Sequence, residues 1–99
     1  VKSMLFGKVA PQKARELVSA GARLVDVRTP GEHAARHIEG SVNVPLSELG
    51  GRLRELGDKA KPVVVYCASG VRSASAARAL KSAGFTQVFD LGSIGRWPG

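Results

Sequence analysis

The stretch YCASGVRS, residues 66–73, contains the only cysteine of the chain, Cys67. It follows the apolar run PVVVY and precedes the alanine-rich run ASAARALKSAG, so we predict that the thiol lies where a buried strand gives way to a helix. A helix N-terminus offers unpaired N–H groups and a partial positive charge, and Gly70 allows backbone angles that other residues resist. The alternative is a buried structural cysteine, but the Gly-x-Arg spacing favours a loop whose amides surround an anion and a thiol that is ionised at neutral pH.

The residues after the cysteine are predicted to bind an anionic substrate. Ala68, Ser69 and Val71 add little bulk over the opening, and the Ser69 hydroxyl is a candidate contact. Arg72 has two alternative roles: it donates hydrogen bonds to the substrate, or it pairs with Asp26 or Glu32 behind the loop. Ser73 is interpreted as a residue of the helix start. The predicted binding loop consists of Ala68, Ser69, Gly70, Val71 and Arg72.

The elements around this loop alternate between helix and strand. PQKARELVSAG and SASAARALKSAG are predicted helices that end at glycine, LSELGGRLREL is a predicted helix with its leucines on one face, and a short helix is predicted around 32–36. Strands are predicted at 23–27 and in SVNVP, PVVVYC and FTQVFDLG, with a final helical turn in GSIGRWP. This alternation predicts a parallel α/β sheet with right-handed crossovers. Cys67 then lies at the carboxyl end of a strand, where open sheets bind ligands.

Composition narrows the classes of function. The chain has 99 residues, so we expect one domain, residues 1–99. Its net charge of +7 favours anionic partners, but no basic cluster interleaves with aromatic residues, so we expect no specific nucleic-acid binding. No apolar run approaches the roughly 20 residues that cross a bilayer, and no His/Cys cluster has metal-ligand spacing, so we expect neither a membrane nor a metal partner.

The N-terminal apolar stretch is too short for a signal peptide, which predicts a cytoplasmic location. A periplasmic location stays open, because the chain does not begin with methionine. The lone cysteine does not decide between the two, since it cannot form an internal disulfide in either compartment.

Three segments, in this order, resemble the single-domain rhodaneses, which are thiosulfate sulfurtransferases. LVDVRTPGEHAARHIEGSVNVP resembles the N-terminal pattern of the family, and YCASGVRSASAARALKSAGF resembles its active-site loop and following helix. VFDLGSIGRW resembles its closing Gly-Gly-x-x-x-Trp motif, with Ser93 in place of the second glycine. The resemblance covers nearly the whole chain. It implies the rhodanese-like three-layer fold, with a central parallel sheet flanked by helices.

The resemblance also implies a reaction without a cofactor. Cys67 attacks the outer sulfur of thiosulfate or a related small anionic donor, sulfite leaves, and cyanide or a thiol then takes the sulfur from the resulting persulfide. One alternative is a carrier domain that passes sulfur to a partner protein. Another is a rhodanese-like phosphatase, which the sequence favours less, because such enzymes use a Cys-x5-Arg loop, one residue longer than the spacing of Cys67 and Arg72.

Three charged residues, Asp26, Arg28 and Glu32, are predicted to support the site. Asp26 ends a buried strand, where an unpaired carboxylate is unfavourable, so we expect it to orient the neighbouring loop or an arginine. Arg28 and Glu32 flank the Thr-Pro-Gly turn, and we expect them to pair with each other. They resemble the family's Asp-Val-Arg-x-x-x-Glu pattern, and we interpret them, like His37, as architectural rather than catalytic.

Overall fold

The computed structural model describes residues 7–99, which form helices around one four-stranded sheet. The α-helices are α1 (Pro11–Ser19), α2 (Pro30–Ala35) and α3 (Val71–Ser82), and the strands are β1 (Arg23–Asp26), β2 (Val42–Asn43), β3 (Val63–Cys67) and β4 (Val88–Ser93). Neighbouring strands pair in parallel, in the order β2-β1-β3-β4. The predicted parallel α/β sheet is confirmed, and the cysteine ends an interior strand.

Strand β3 is covered on both faces, as its continuous apolar sequence predicts. All of its residues are buried. Val63, Val65 and Cys67 pack into one cluster with buried side chains of α3, whereas Val64 and Tyr66 pack into a second cluster with α1. Because successive side chains of a strand point to opposite faces, the sheet lies between two layers of helix. The expected three-layer arrangement is therefore confirmed.

The leucine-rich segment between β2 and β3 was predicted as one helix, and this prediction is wrong. The segment forms two 3₁₀-helices, Leu46–Gly51 and Leu53–Leu56. Its two consecutive glycines each disfavour an α-helix by about 1 kcal/mol relative to alanine, and the next residue, Arg52, has a φ of −123°. The leucines of the predicted face still pack into the cluster shared with α3: Leu46, Leu49, Leu53 and Leu56.

Both ends of the described chain attach to the outer edge of β4. Lys8 pairs in parallel with Asp90, and the Val9 N–H donates to the Asp90 carbonyl oxygen at 2.8 Å. After β4, the 3₁₀-helix Ile94–Arg96 confirms the predicted final turn. The guanidinium of Arg96 donates to the Val9 carbonyl oxygen at 2.8 Å. The segment before α1 and the segment after β4 are thus joined beside the sheet.

Candidate active site

Cys67 is the last residue of β3, and α3 begins four residues later at Val71. Gly70 lies just before the helix with a φ of +105°, a left-handed conformation that favours glycine because it lacks a Cβ. This turn directs backbone N–H groups at the sulfur: Gly70 donates to Cys67 Sγ at 2.9 Å and Ser73 donates at 3.3 Å. The predicted junction of strand, glycine turn and helix is confirmed, and its amides face the thiol.

The surroundings of Cys67 favour the charged form of its thiol. The residue is buried, and burial raises the pKa of the thiol. Hydrogen bonds from Ser73, Gly70 and Ser69 lower that pKa and outweigh burial, so it lies below the ordinary value of 9.0. The Ser73 hydroxyl contributes to the lowering and lies 3.2 Å from the Gly70 carbonyl oxygen. Interpreting Ser73 only as a helix-start residue missed its contact with the thiol, which depends on the shape of the turn.

The other residues of the predicted binding loop form the rim of the site. Ala68 and Ser69 are exposed, and Val71 exposes 74% of its surface. Since Cys67 exposes none of its own surface, a substrate has to approach past this rim. The small side chains of Ala68 and Ser69 obstruct that approach little, and their contact with substrate stays a prediction.

Arg72 pairs with Glu32, one of the two carboxylates that the sequence offered. Its Nη1 donates to Glu32 Oε1 at 2.7 Å and its Nη2 to Glu32 Oε2 at 3.0 Å. Glu32 also closes a capping box at the start of α2, where its carboxylate accepts the Thr29 N–H at 2.9 Å. The Arg72 guanidinium, helped by the Thr29 N–H, lowers the pKa of Glu32 to about 2. The pair joins α2 to the helix that follows the cysteine.

The predicted pairing of Arg28 with Glu32 is wrong, because Arg28 pairs with Asp26. Asp26 Oδ1 accepts both the backbone N–H and the Nε–H of Arg28 at 2.9 Å, and Asp26 Oδ2 accepts from Nη2 at 2.8 Å. The Arg28 side chain turns back towards the buried end of β1. Glu32 instead bonds to Arg72 and to the backbone of the capping box. Burial raises the pKa of Asp26, but the bonds from Arg28 and His33 lower it below its ordinary value. Asp26 was expected to orient the neighbouring loop or an arginine, and the structure shows it bonded to Arg28.

His33 is a partner of this cluster that the sequence did not reveal. Its Nδ1 lies 2.9 Å from Asp26 Oδ2, and its ring stacks on that of His37 with centroids 4.1 Å apart. His37 lies beyond the end of α2, after the extended residue Arg36, and its Nδ1 is 2.8 Å from the His33 carbonyl oxygen, so the stack forms where the chain leaves the helix. The contact with Asp26 could not be predicted, because it depends on how α2 packs against the end of β1.

The site consists of the Cys67 thiol, the loop amides that face it, and the ion pairs of Arg28 and Arg72 beside it. Across residues 7–99, no three His, Cys, Asp or Glu side chains are grouped as metal ligands would be. In the same part of the chain, no helix is both long and apolar enough to cross a membrane.

Comparison with known proteins agrees with this geometry. Residues 10–98 match the family described as Rhodanese-like domain. The chain belongs to this family. The thiosulfate sulfurtransferase GlpE of Pseudomonas syringae is 38% identical over 86 residues, which are 87% of this chain and 80% of GlpE. The thiosulfate sulfurtransferase PspE of Escherichia coli is 35% identical over 78 residues, 78% of this chain and 75% of PspE.

A third relative is less informative about function. The uncharacterized protein YqhL of Bacillus subtilis is 43% identical over 79 residues, which are 79% of this chain. The match spans 62% of YqhL, less than two thirds of its length.

Solved structures of the rhodanese family share the fold. The human single-domain sulfurtransferase TSTD1 superposes with a TM-score of 0.79 at 28% identity, covering 92% of this chain and 94% of its own. A rhodanese with anions from E. coli superposes with a TM-score of 0.73 at 32% identity, covering 77% and 91%. The resemblance inferred from three sequence segments is thus confirmed, together with the three-layer fold.

Proposed function

We propose that this chain is a sulfurtransferase of the thiosulfate:cyanide type, which carries the transferred sulfur as a persulfide on Cys67. Relatives named thiosulfate sulfurtransferase, at 35% and 38% identity, support sulfur transfer in general. The donor is thiosulfate or a related small anion, and the acceptor is cyanide or a thiol. In this scheme residues 1–99 act as one rhodanese domain, without a cofactor and, as the sequence predicts, in the cytoplasm.

The observation that carries the proposal is the pair of N–H groups, from Gly70 and Ser73, directed at Cys67 Sγ. The thiolate of Cys67 attacks the outer sulfur of thiosulfate, the sulfur–sulfur bond of thiosulfate breaks, and its electron pair leaves with sulfite. The product is an enzyme persulfide that carries the negative charge on its outer sulfur. N–H groups that the fold holds in place can stabilise the negative charge of the thiolate and of the persulfide without reorganising during the reaction. No proton has to be transferred in this step, because sulfite leaves as an anion.

In the second half of the reaction, cyanide or a thiolate attacks the outer sulfur of the persulfide. The bond between that sulfur and Cys67 Sγ breaks, and its electron pair returns to Cys67 as the thiolate. The products are thiocyanate or a persulfide on the acceptor. The net charge of +7 assists the approach of the anions in both halves.

The pairing of Arg72 with Glu32 bears on how the donor is bound. A guanidinium has five N–H groups, and Arg72 directs one from Nη1 and one from Nη2 at Glu32. The rest of its donors are available to the sulfonate oxygens of thiosulfate. Arg72 therefore combines the two roles that the sequence left as alternatives: it joins the loop to α2, and we propose that it also contacts the donor.

A second candidate function, the carrier that passes sulfur between proteins, is favoured by Val71. This apolar side chain exposes 74% of its surface and lies on the loop that covers the thiol. Single exposed apolar residues are common on protein surfaces, so its position beside the thiol matters more than its exposure. A partner protein that docks there would bury Val71 while it presents its own thiol to the Cys67 persulfide.

Phosphatase activity is less well supported. Four residues separate Cys67 from Arg72, one fewer than in the Cys-x5-Arg loop of rhodanese-like phosphatases. The shorter loop supports transfer of sulfur over hydrolysis of phosphate.

Intact-mass measurement tests the proposal. The purified protein is incubated with thiosulfate, weighed, treated with cyanide and weighed again. We expect the mass to rise by one sulfur atom and then to return to its first value, with an equal amount of thiocyanate released. Cys67→Ser is the matched control and should gain nothing. A folded protein with a reactive Cys67 and an unchanged mass would overturn the proposed donor.

The acceptor is tested on the loaded protein. Cyanide, a small thiol and a reduced thiol protein are each added at equal concentration, and the loss of the added mass is followed over time. Release to cyanide and to the small thiol supports the enzyme that acts on small molecules. Release to the thiol protein alone would support the carrier function instead.

A further inference from the structure

Lys8 contacts the back of the cysteine loop from the outer edge of the sheet. A Cβ atom built on Gly70 would lie 3.4 Å from Lys8 Cε and 3.5 Å from Lys8 Nζ. A Cβ built on Gly92 of β4 would lie 2.8 Å from both Cδ and Cε of Lys8, closer than real Cβ atoms approach their neighbours. The two glycines thus leave a slot that the aliphatic part of Lys8 occupies.

The slot lies directly against the part of the loop that holds the sulfur. The Gly92 Cα is 3.8 Å from the Cβ position of Gly70, and the N–H of Gly70 donates to Cys67 Sγ at 2.9 Å. Gly70 and Gly92 both have positive φ, +105° and +89°, so side chains are disfavoured at both positions. The Lys8 side chain, from a different segment, approaches the Cβ positions of both glycines, and Arg96 Cδ lies 3.5 Å from that of Gly92 alone.

Two further contacts hold Lys8 in place. Its backbone pairs in parallel with Asp90, and its Nζ lies 3.7 Å from Asp90 Oδ2. The Asp90 side chain is 5% exposed, and its Oδ1 has no hydrogen-bond partner among the described residues. A nearly buried carboxylate with so few partners attracts the ammonium group strongly. Asp90 therefore draws the end of the Lys8 side chain inward, across Gly92 and against Gly70.

We propose that Lys8 is a positioning residue for the cysteine loop: its aliphatic chain fills the slot between Gly70 and Gly92, and Asp90 anchors its ammonium group. Lys8 then fixes Gly70, and Gly70 keeps its N–H on the sulfur. The inference rests on the proposed function for its effect on sulfur transfer. Its effect on the Gly70 amide can be measured whether or not the protein transfers sulfur.

The decisive comparison is between Lys8→Ala and Lys8→Met in the full chain. Lys8→Ala empties the slot, so we expect the Gly70 amide to exchange with solvent about tenfold faster, as when an ordinary hydrogen bond is lost. We expect the midpoint of Cys67 alkylation against pH to rise, and kcat/KM for thiosulfate to fall about tenfold, since small displacements of reacting groups have large effects. Lys8→Met keeps an unbranched chain, whose sulfur and terminal methyl reach the positions of Cδ and Cε, but it lacks the ammonium group that Asp90 anchors. Its exchange and kcat/KM should therefore lie between those of the wild type and those of Lys8→Ala.

Lys13→Ala is the matched control. Lys13 lines the same surface cavity as Lys8 on the outer side of β4, and the variant loses the same charge as Lys8→Ala. It should leave the Gly70 amide and the alkylation midpoint unchanged. Asp90→Asn releases the ammonium group but keeps Lys8, and should give exchange between that of the wild type and that of Lys8→Ala. An unchanged Gly70 amide in Lys8→Ala overturns the proposal, and so does a Lys8→Met variant as impaired as Lys8→Ala. If the wild type transfers no sulfur, the proposed function fails while the exchange measurement still decides the role of Lys8.

Discussion

Two neighbouring regions at the carboxyl edge of the sheet hold negative charge in different ways. After β3, the sulfur of Cys67 accepts hydrogen bonds from the backbone N–H groups of Gly70 and Ser73. After β1, the carboxylate of Asp26 receives the side chains of Arg28 and His33. Peptide N–H groups carry no net charge and are fixed by the turn, so they stabilise the charged thiol and, in the proposed reaction, the persulfide that replaces it. An arginine side chain instead keeps one carboxylate as its partner and fixes the architecture around it.

The two regions also differ in how far their side chains are buried. The side chains on the rim of the cysteine loop are small and exposed, whereas Asp26 is 0% exposed and Arg28 is 6% exposed. Removing one member of a buried ion pair leaves the other without compensation, but changing an exposed side chain leaves backbone donors in place. We therefore expect loss of the thiol or of the glycine turn to affect chemistry, changes of the exposed loop side chains to have small effects, and mutations in the Asp26 cluster to affect stability.

The largest effect is expected for Cys67→Ser, which should abolish persulfide formation and sulfur transfer. The chain has no other thiol on which a persulfide could form. Stability should change little, because serine is similar in size and keeps a group that can accept the Gly70 N–H. Thiocyanate production and urea denaturation measure the two effects. Transfer near the wild-type rate in a pure sample would contradict the assignment of Cys67.

Asp26→Asn should give the largest loss of stability. The buried guanidinium of Arg28 would lose its charged partner, and breaking such a pair lowers the free energy of unfolding by about 3–5 kcal/mol. Urea denaturation at neutral pH measures the loss. The matched control is Asp58→Asn, at an exposed aspartate, which should stay within about 0.5 kcal/mol of the wild type. A loss below about 1 kcal/mol for Asp26→Asn would show that the pair is not the anchor described here.

The cysteine loop was predictable from sequence because its determinants are adjacent in the chain. The β-branched strand, the glycine before the helix and the helix itself all lie within residues 63–82, and each has a local signature. The surrounding family motifs made the fold predictable as well. The break in the leucine-rich segment shows the limit of such local patterns, because apolar spacing there continued across two glycines that disfavour an α-helix.

The partners of the charged residues were not predictable in the same way. Arg28 and Glu32, four residues apart, were expected to pair. Instead Arg28 turns back to a residue two positions earlier, and Glu32 pairs with Arg72, 40 residues later in the chain. Which carboxylate an arginine reaches depends on how α2 packs beside α3, and the sequence pattern contains no direct signal of that packing.

Glu32→Gln tests the ion pair of Glu32 with Arg72, which joins α2 to α3, through the pH dependence of stability. The pKa of Glu32 is lowered in the folded protein from 4.5 to about 2, so its contribution to stability is complete above about pH 4.5 and is lost as the pH falls towards 2. Glutamine does not titrate. The difference in unfolding free energy between wild type and Glu32→Gln should therefore shrink as the pH falls through this window, as measured by urea denaturation between pH 2 and pH 6. A constant difference over this range would show that the Arg72 pair contributes nothing specific.

The smallest effect is expected for Ser69→Ala, and it sharpens the comparison most directly. Ser69 is exposed, and its backbone N–H helps to lower the pKa of Cys67. If the loop works through its backbone, removing the hydroxyl should leave both the alkylation midpoint and kcat/KM within about twofold of the wild type, the size of an ordinary surface effect. Gly70→Ala is the contrasting control, because it also changes the chain by a single small group. At Gly70 the φ is +105°, which alanine adopts only with strain. This variant should therefore impair sulfur transfer far more than Ser69→Ala. A loss of tenfold or more in Ser69→Ala, with an unchanged midpoint, would mean that the hydroxyl binds the donor, and that the loop recognises its substrate through a side chain as well as through amides.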